Sequence, residues 1–216
     1  MLALHFYTYT FNSKLFLTKG ILELIRVTTI FIVTTMLLSG ALRANADTAI
    51  FAGGCFWCVE AAYQDLEGVS DAVSGFTGGT LKNPTYSGNH EGHYEAVKVT
   101  YDPEKISYEK LLEVFWHNID PFDDRGQFCD KGPSYRSAIF ADDNQRAQAK
   151  ASKDAVMQEF ESQTVVTELL PVSSFWPVEA GHQDYYLKNP IRYRFYRTSC
   201  GRDRRLTEIW GDRGGH

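Results

Sequence analysis

Between a short apolar run and a stretch of helical spacing lies Gly53-Gly54-Cys55-Phe56-Trp57-Cys58-Val59-Glu60. The run before it, 48–51, reads as a strand. The glycine pair permits a tight turn, and 57–66, with Ala61 and Ala62 inside it, has helical spacing. Strand, turn and helix in that order put Cys55 at or beside a helix N-terminus, where unpaired amide N–H groups and the helix dipole favour a thiolate. A nucleophilic sulfur beside two aromatics and a second thiol points to thiol redox chemistry.

Outward from that motif, 69–76 and 94–101 carry the β-branched and aromatic content of strands, with a Gly/Asn/Pro-rich loop over 77–92 between them. Ser107 is placed to cap a helix whose apolar stripe is Leu111, Leu112, Phe115 and Trp116, and Pro121 stops it. A long loop, 121–133, carries Cys129 and Asp130, and loops of that length inside a compact domain are usually functional or disordered. Beyond it the pattern predicts a strand over 135–140, an amphipathic helix over 142–160, a strand over 165–170 and a terminal helix over 203–210. Cys200 falls in a C-terminal stretch expected to be mobile. Strands and helices intermix without strict alternation, which predicts an α+β domain with a mixed or antiparallel sheet.

The first 46 residues read as a separate unit. Lys14, Lys19 and Arg26 lead into an apolar, uncharged run over 27–38, and Ala44-Asn45-Ala46 has the small-x-small form of a signal-peptidase site. That predicts export, most simply to a bacterial periplasm, with cleavage after Ala46 and a catalytic domain over 47–216. An uncleaved membrane anchor is the alternative, although a dozen apolar residues are short for a span. The remaining chain is long enough to bury a core of its own. With 44% hydrophobic and 14% aromatic residues it is not a disordered chain. A net charge of −5, spread along the chain, argues against a nucleic-acid partner. The one basic stretch, 192–205, interleaves Tyr193, Phe195 and Tyr196 and reads as a solvated helix face with a packed stripe. Cys55, Cys58, Cys129 and Cys200 are even in number and could make two structural disulfides, but the tiny Cys55/Cys58 loop favours catalytic redox use.

The loops and strand ends also offer Tyr86, Glu95, Asp130 and Tyr135. A thiolate, a carboxyl able to carry a proton and two phenols would stabilise an oxygen leaving a sulfur or carbon centre. Taken singly, Glu95 could equally be a strand-edge charge and the tyrosines packed aromatics. In order along the chain stand Gly54-Cys55-Phe56-Trp57, Pro84-Thr85-Tyr86, Gly92-His93-x-Glu95, Tyr101-Asp102-Pro103, Phe115-Trp116, Asp130-x4-Tyr135-Arg136-Ser137 and His182-Gln183-x-Tyr185. This resembles the A-type peptide methionine sulfoxide reductase family over about 49–210. The resemblance implies a single-domain α/β sandwich, a ferredoxin-like plait with long active-site loops. It implies Cys55 as the nucleophile, Phe56 and Trp57 as the wall for the substrate methyl, and Glu95 with Tyr86 and Tyr135 on the sulfoxide oxygen, with Asp130 orienting the site. It further implies action on the S epimer of methionine sulfoxide, free or in oxidised proteins, through a sulfenic acid and an intramolecular disulfide. No bound cofactor is expected; a thioredoxin-like protein is the expected reductant. Cys58, where many relatives have Gly, ranks first as the resolving thiol, Cys200 second and Cys129 last. A monomer is expected.

Two other functions fit parts of the pattern. A zinc module would use Cys55, Cys58, His90 and His93, but there is no second Cys-x-x-Cys. A thioredoxin-like disulfide oxidoreductase would also set Cys-x-x-Cys at a helix start, yet would have no use for the Glu95 and Tyr135 elements.

Overall fold

The computed structural model describes residues 46–215 of the 216-residue chain, so the expected leader, Ala46 apart, lies outside the described residues. Strand β1 (Asp47–Gly53) runs through the interior of a six-stranded sheet and enters helix α1 (Phe56–Tyr63) through Gly54 and Cys55. Ala49 and Phe51 face one layer of the core while Ile50 and Ala52 face the other, and all four are buried. A strand covered on both faces must read as an unbroken apolar run, and this one does.

The chain continues through β2 (Val69–Thr77), β3 (Tyr94–Tyr101), α2 (Tyr108–His117) and, after a two-strand ribbon of β4 (Gly126–Gln127) and β5 (Asp130–Lys131), β6 (Ser137–Ala141). In the sheet these strands stand in the order β6-β1-β3-β2, each antiparallel to its neighbour. That β-α-β-β-α-β weave is a ferredoxin-like plait. Helix α3 (Arg146–Glu159) then leads to β7 (Glu168–Pro171), parallel to β6, and β8 (Trp176–Pro177) pairs with β2 at the other edge. The class is α+β with a mixed sheet, as expected. Phe51 ties strand to helices by stacking on Tyr63 at 5.2 Å and on Phe115 at 5.3 Å between ring centres.

Ser107 Oγ accepts the Lys110 N–H at 3.2 Å and caps α2. Elsewhere the boundaries shift for local reasons. Asp142 is not in a helix: its carboxylate accepts the Asn144 and Gln145 N–H groups, and α3 starts only at Arg146. Tyr135 is not in a strand but closes a 3₁₀ turn, Pro133–Tyr135, so that β6 begins at Ser137. The C-terminal region holds α4 (Tyr185–Lys188), which the pattern does not announce, and α5 (Pro190–Ser199), the helix expected in the basic stretch, before α6 (Arg202–Trp210). Tyr193 and Tyr196 form the half-buried stripe of α5 as expected, whereas Phe195 is exposed. Cys200 is not on a mobile tail either; it closes α5 and is disulfide-bonded to Cys129.

Candidate active site

The turn before Cys55 is fixed by backbone geometry. Gly54 has φ +81°, and a Cβ there would lie 2.6 Å from Gln127 Cβ, so only glycine fits. Gln127 is itself immobilised: its amide accepts from Asp120 N and donates to Asp120 O and Gly126 O. Cys55 then occupies the N-cap position of α1, but its side chain caps nothing. The free N–H of Phe56 donates instead to Glu95 Oε2 at 3.1 Å, which joins the helix start to β3.

Cys55, Phe56, Trp57, Tyr86, Glu95, Asp130, Tyr135 and Tyr196 line one small cavity of about 40 Å³. Seven of these eight were singled out in the sequence. Tyr196 was not: it projects from α5, where no local signal marks it. Its hydroxyl donates to Asp130 Oδ2 and also meets the Cys55 sulfur. The aromatic wall continues outward, with Tyr185 stacked on Trp57 at 3.9 Å and His182 lying 4.0 Å from Tyr86. Both belong to the His-Gln-x-Tyr motif, which carried no assigned role.

Burial dominates the electrostatics. Glu95 is 1% exposed, and loss of solvent pushes its carboxyl up to about 8, against the Phe56 N–H that favours the anion. Its Oε1 has no hydrogen-bond partner among the described residues. Glu95 at neutral pH is therefore an acid with a free edge. Tyr86 is raised to about 12 and Tyr135 is raised too, both first by burial, so both phenols keep their protons. Asp130 is raised by burial and partly restrained by the Tyr196 hydrogen bond.

The sulfurs correct one expectation. Cys55 is not the readily ionised thiol of an open helix end; burial and its hydrogen bond with Cys58 push it well up. Cys58, one turn on and 1% exposed, is brought down to about 6, first by that hydrogen bond and then, against burial, by Arg202 and Arg197. Of the two thiols, Cys58 is the one whose surroundings favour the charge. Cys200 and Cys129 lie outside the cavity, joined to each other. The four residues of the zinc alternative are not brought together as a ligand set: both ring nitrogens of His93 are engaged, by Leu81 O and Gly79 N, and His90 stacks on Phe76. Among the described residues the one grouping with metal-ligand spacing is Cys129, Asp130 and Cys200, and its two sulfurs are bonded to each other. Within the basic stretch Arg197 pairs with Asp203, Arg205 with Asp120, and Arg202 is buried.

A family model described as peptide methionine sulfoxide reductase matches residues 47–214. The chain belongs to the peptide methionine sulfoxide reductase family. It is 49% identical to peptide methionine sulfoxide reductase MsrA 2 of Caulobacter vibrioides over 77% of this chain and 87% of that one. It is 45% identical to the Bacillus subtilis MsrA over 76% of this chain and 96% of the relative. Among solved structures, methionine sulfoxide reductase A of Corynebacterium diphtheriae superposes with a TM-score of 0.62 at 29% identity, covering 69% of this chain and 78% of that one. The chain is thus an oxidoreductase that reduces methionine sulfoxide.

Proposed function

We propose that this chain reduces the S epimer of methionine sulfoxide, free or in oxidised proteins, with Cys55 as nucleophile and Glu95 as acid. The observation that carries the proposal is the meeting of Cys55 and the unpartnered Oε1 of Glu95 in one small aromatic cavity. Phe56 and Trp57 receive the substrate methyl. The sulfoxide oxygen takes the place left open beside Glu95, with the protonated phenols of Tyr86 and Tyr135 as further donors. Asp130, held by Tyr196, orients the site.

The sequence of bonds then balances. The Cys55 sulfur bonds to the sulfoxide sulfur while Glu95 gives its proton to the oxygen; transfer of that oxygen leaves Cys55 sulfenic acid and methionine. Cys58 attacks the Cys55 sulfur, the sulfenic oxygen departs as water, and a Cys55–Cys58 disulfide remains. A thioredoxin-like dithiol reduces it and is itself oxidised. Contact between the two sulfurs supports Cys58 as the resolving thiol, whereas Cys200 is already bonded to Cys129.

The deciding experiment offers both epimers of a methionine sulfoxide peptide with dithiothreitol as reductant and maps the disulfides after one turnover. Reduction of the S epimer with a Cys55–Cys58 bond is the expected result. Preference for the R epimer would overturn the substrate assignment. A Cys55–Cys200 bond, with full thioredoxin-dependent turnover in Cys58→Ser, would overturn the choice of resolving thiol. The reductase is further proposed to be exported, supported by the apolar run over 27–38 and Ala44-Asn45-Ala46.

A further inference from the structure

Arg202 opens α6, directly after Gly201, and is 1% exposed. Its Nη2 donates to Gly53 O at 3.0 Å and to Asn118 O at 2.9 Å, and its guanidinium lies 4.4 Å over the ring of Phe128. Gly53 is the last residue of β1, two before Cys55; Phe128 immediately precedes Cys129 and Asp130. The guanidinium is thus seated beneath the nucleophile turn. Among the described residues it forms no ion pair with a carboxylate, and its Nε has no hydrogen-bond partner. A buried cation without a counter-ion is strongly disfavoured, so an anion is to be looked for within reach.

The groups around Cys58 narrow the choice. Cys55 faces it from the same turn, Tyr193, Tyr196 and Arg197 from α5, Arg202 from α6 and Glu95 from β3. Arg197 is matched by Asp203, with Nη2 to Oδ1 at 2.6 Å. Asp130, half-buried and holding the Tyr196 hydroxyl, is one anion that Arg202 faces from outside the thiol pair. Glu95 is protonated at neutral pH, and the tyrosines keep their protons. The thiol pair is the anion buried as deeply as Arg202 itself.

We propose that Arg202 is a positioning residue of the redox site: its buried guanidinium is the counter-cation of the single negative charge that Cys55 and Cys58 share. The inference rests on the reading of Cys55 and Cys58 as the redox pair. Its consequence is that the pair is singly ionised before substrate arrives. Moving one proton from Cys55 to Cys58 then frees the nucleophile, and loss of that proton from Cys58 restores the attacking thiolate for the second step.

Thiolate absorbance near 240 nm, followed against pH in the full-length protein with Cys129–Cys200 intact, reads this charge without substrate. The wild type is expected to show one thiolate forming near pH 6. In Arg202→Met that step should move up by roughly one pH unit or more, and Arg202→Lys should restore most of the difference. Asp130→Asn should leave the step in place. A folded Arg202→Met titrating like the wild type would overturn the proposal.

A second measurement leaves Arg202 in place. In Cys55→Ala/Cys58→Ala the guanidinium loses its proposed counter-ion. A pair ionising near 6 when folded and near 9 when unfolded stabilises the folded state increasingly as pH rises between those values. The melting temperature of the wild type should therefore exceed that of the double variant by a margin that grows from pH 6 to 9. Parallel curves would count against Arg202 alone, because disulfide mapping after one turnover tests the redox-pair reading separately.

Discussion

A carboxyl donates a proton near neutrality only when its surroundings keep that proton on. Glu95 meets the condition through burial, which raises it to about 8 and outweighs the Phe56 N–H that favours the anion. Glu95→Gln keeps the shape and loses the acid, so turnover should fall by roughly 10²–10⁴-fold, the usual scale of acid–base catalysis. In the wild type the rate should decline as pH rises through about 8, where the protonated acid disappears, and the variant should lack that limb. A near-wild-type rate in Glu95→Gln at pH 7 would show that another group supplies the proton. Cys55→Ser should abolish reduction with any reductant; appreciable single-turnover activity would remove Cys55 from its role.

Between elements, the helix that carries the cysteines is tied to the C-terminal segment by Glu60. Its Oε2 accepts from Ser74 Oγ at 2.9 Å and its Oε1 from Asp184 N at 2.8 Å, and the next residue, Tyr185, is the one stacked on Trp57. Burial raises Glu60 to about 7 from an ordinary 4.5. The folded chain then keeps a proton that the unfolded chain has lost, so this group's contribution to stability is present below 4.5 and is lost as pH rises through 7. Glu60→Gln can keep both hydrogen bonds without the ionisation. Its melting temperature relative to wild type should rise between pH 5 and 8, and curves that stay parallel would refute the linkage. The Cys129–Cys200 bridge spans 71 residues and joins the loop bearing Asp130 to the helix bearing Tyr196. Cys129→Ser/Cys200→Ser should lower unfolding free energy by about 2–4 kcal/mol in denaturant titration. An unchanged midpoint would show that packing alone holds α5.

Across the whole molecule, the plait serves to bring one end of β1, the start of α1, the middle of the sheet at Glu95 and the C-terminal helices to a single point. The C-terminal segment helps build the cavity around Cys55, since Tyr196 lines it and Arg202 lies under the turn before Cys55. Truncation before Pro190 should therefore abolish activity even where the sheet still folds, a result that circular dichroism beside an activity assay can separate. N-terminal sequencing of protein from fractionated cells addresses the proposed export, and a mature chain beginning at Asp47 is the expected outcome. An intact leader on cytoplasmic protein would refute it.

Local pattern was sufficient wherever structure is locally caused. The apolar run of β1, the Gly54 turn, the Ser107 cap and the stripe of α2 each follow from residues within a turn or two of one another. The Gly-Cys-Phe-Trp motif and the ordered elements after it named seven of the eight cavity residues. What local pattern could not supply depends on long-range contact. The packed stripe of α5 is visible in the sequence, but not which of its tyrosines enters the cavity. Tyr196 reaches Asp130 across 66 residues, and Arg202 reaches Gly53 across 149. The ionisation of the thiols was misjudged for the same reason. A helix start near a cysteine suggests a thiolate there, but burial, the neighbouring sulfur and two guanidiniums from the C-terminal helices decide where the charge rests. Solvent exclusion and charge proximity are properties of the packed chain, and only the tertiary structure assigns them.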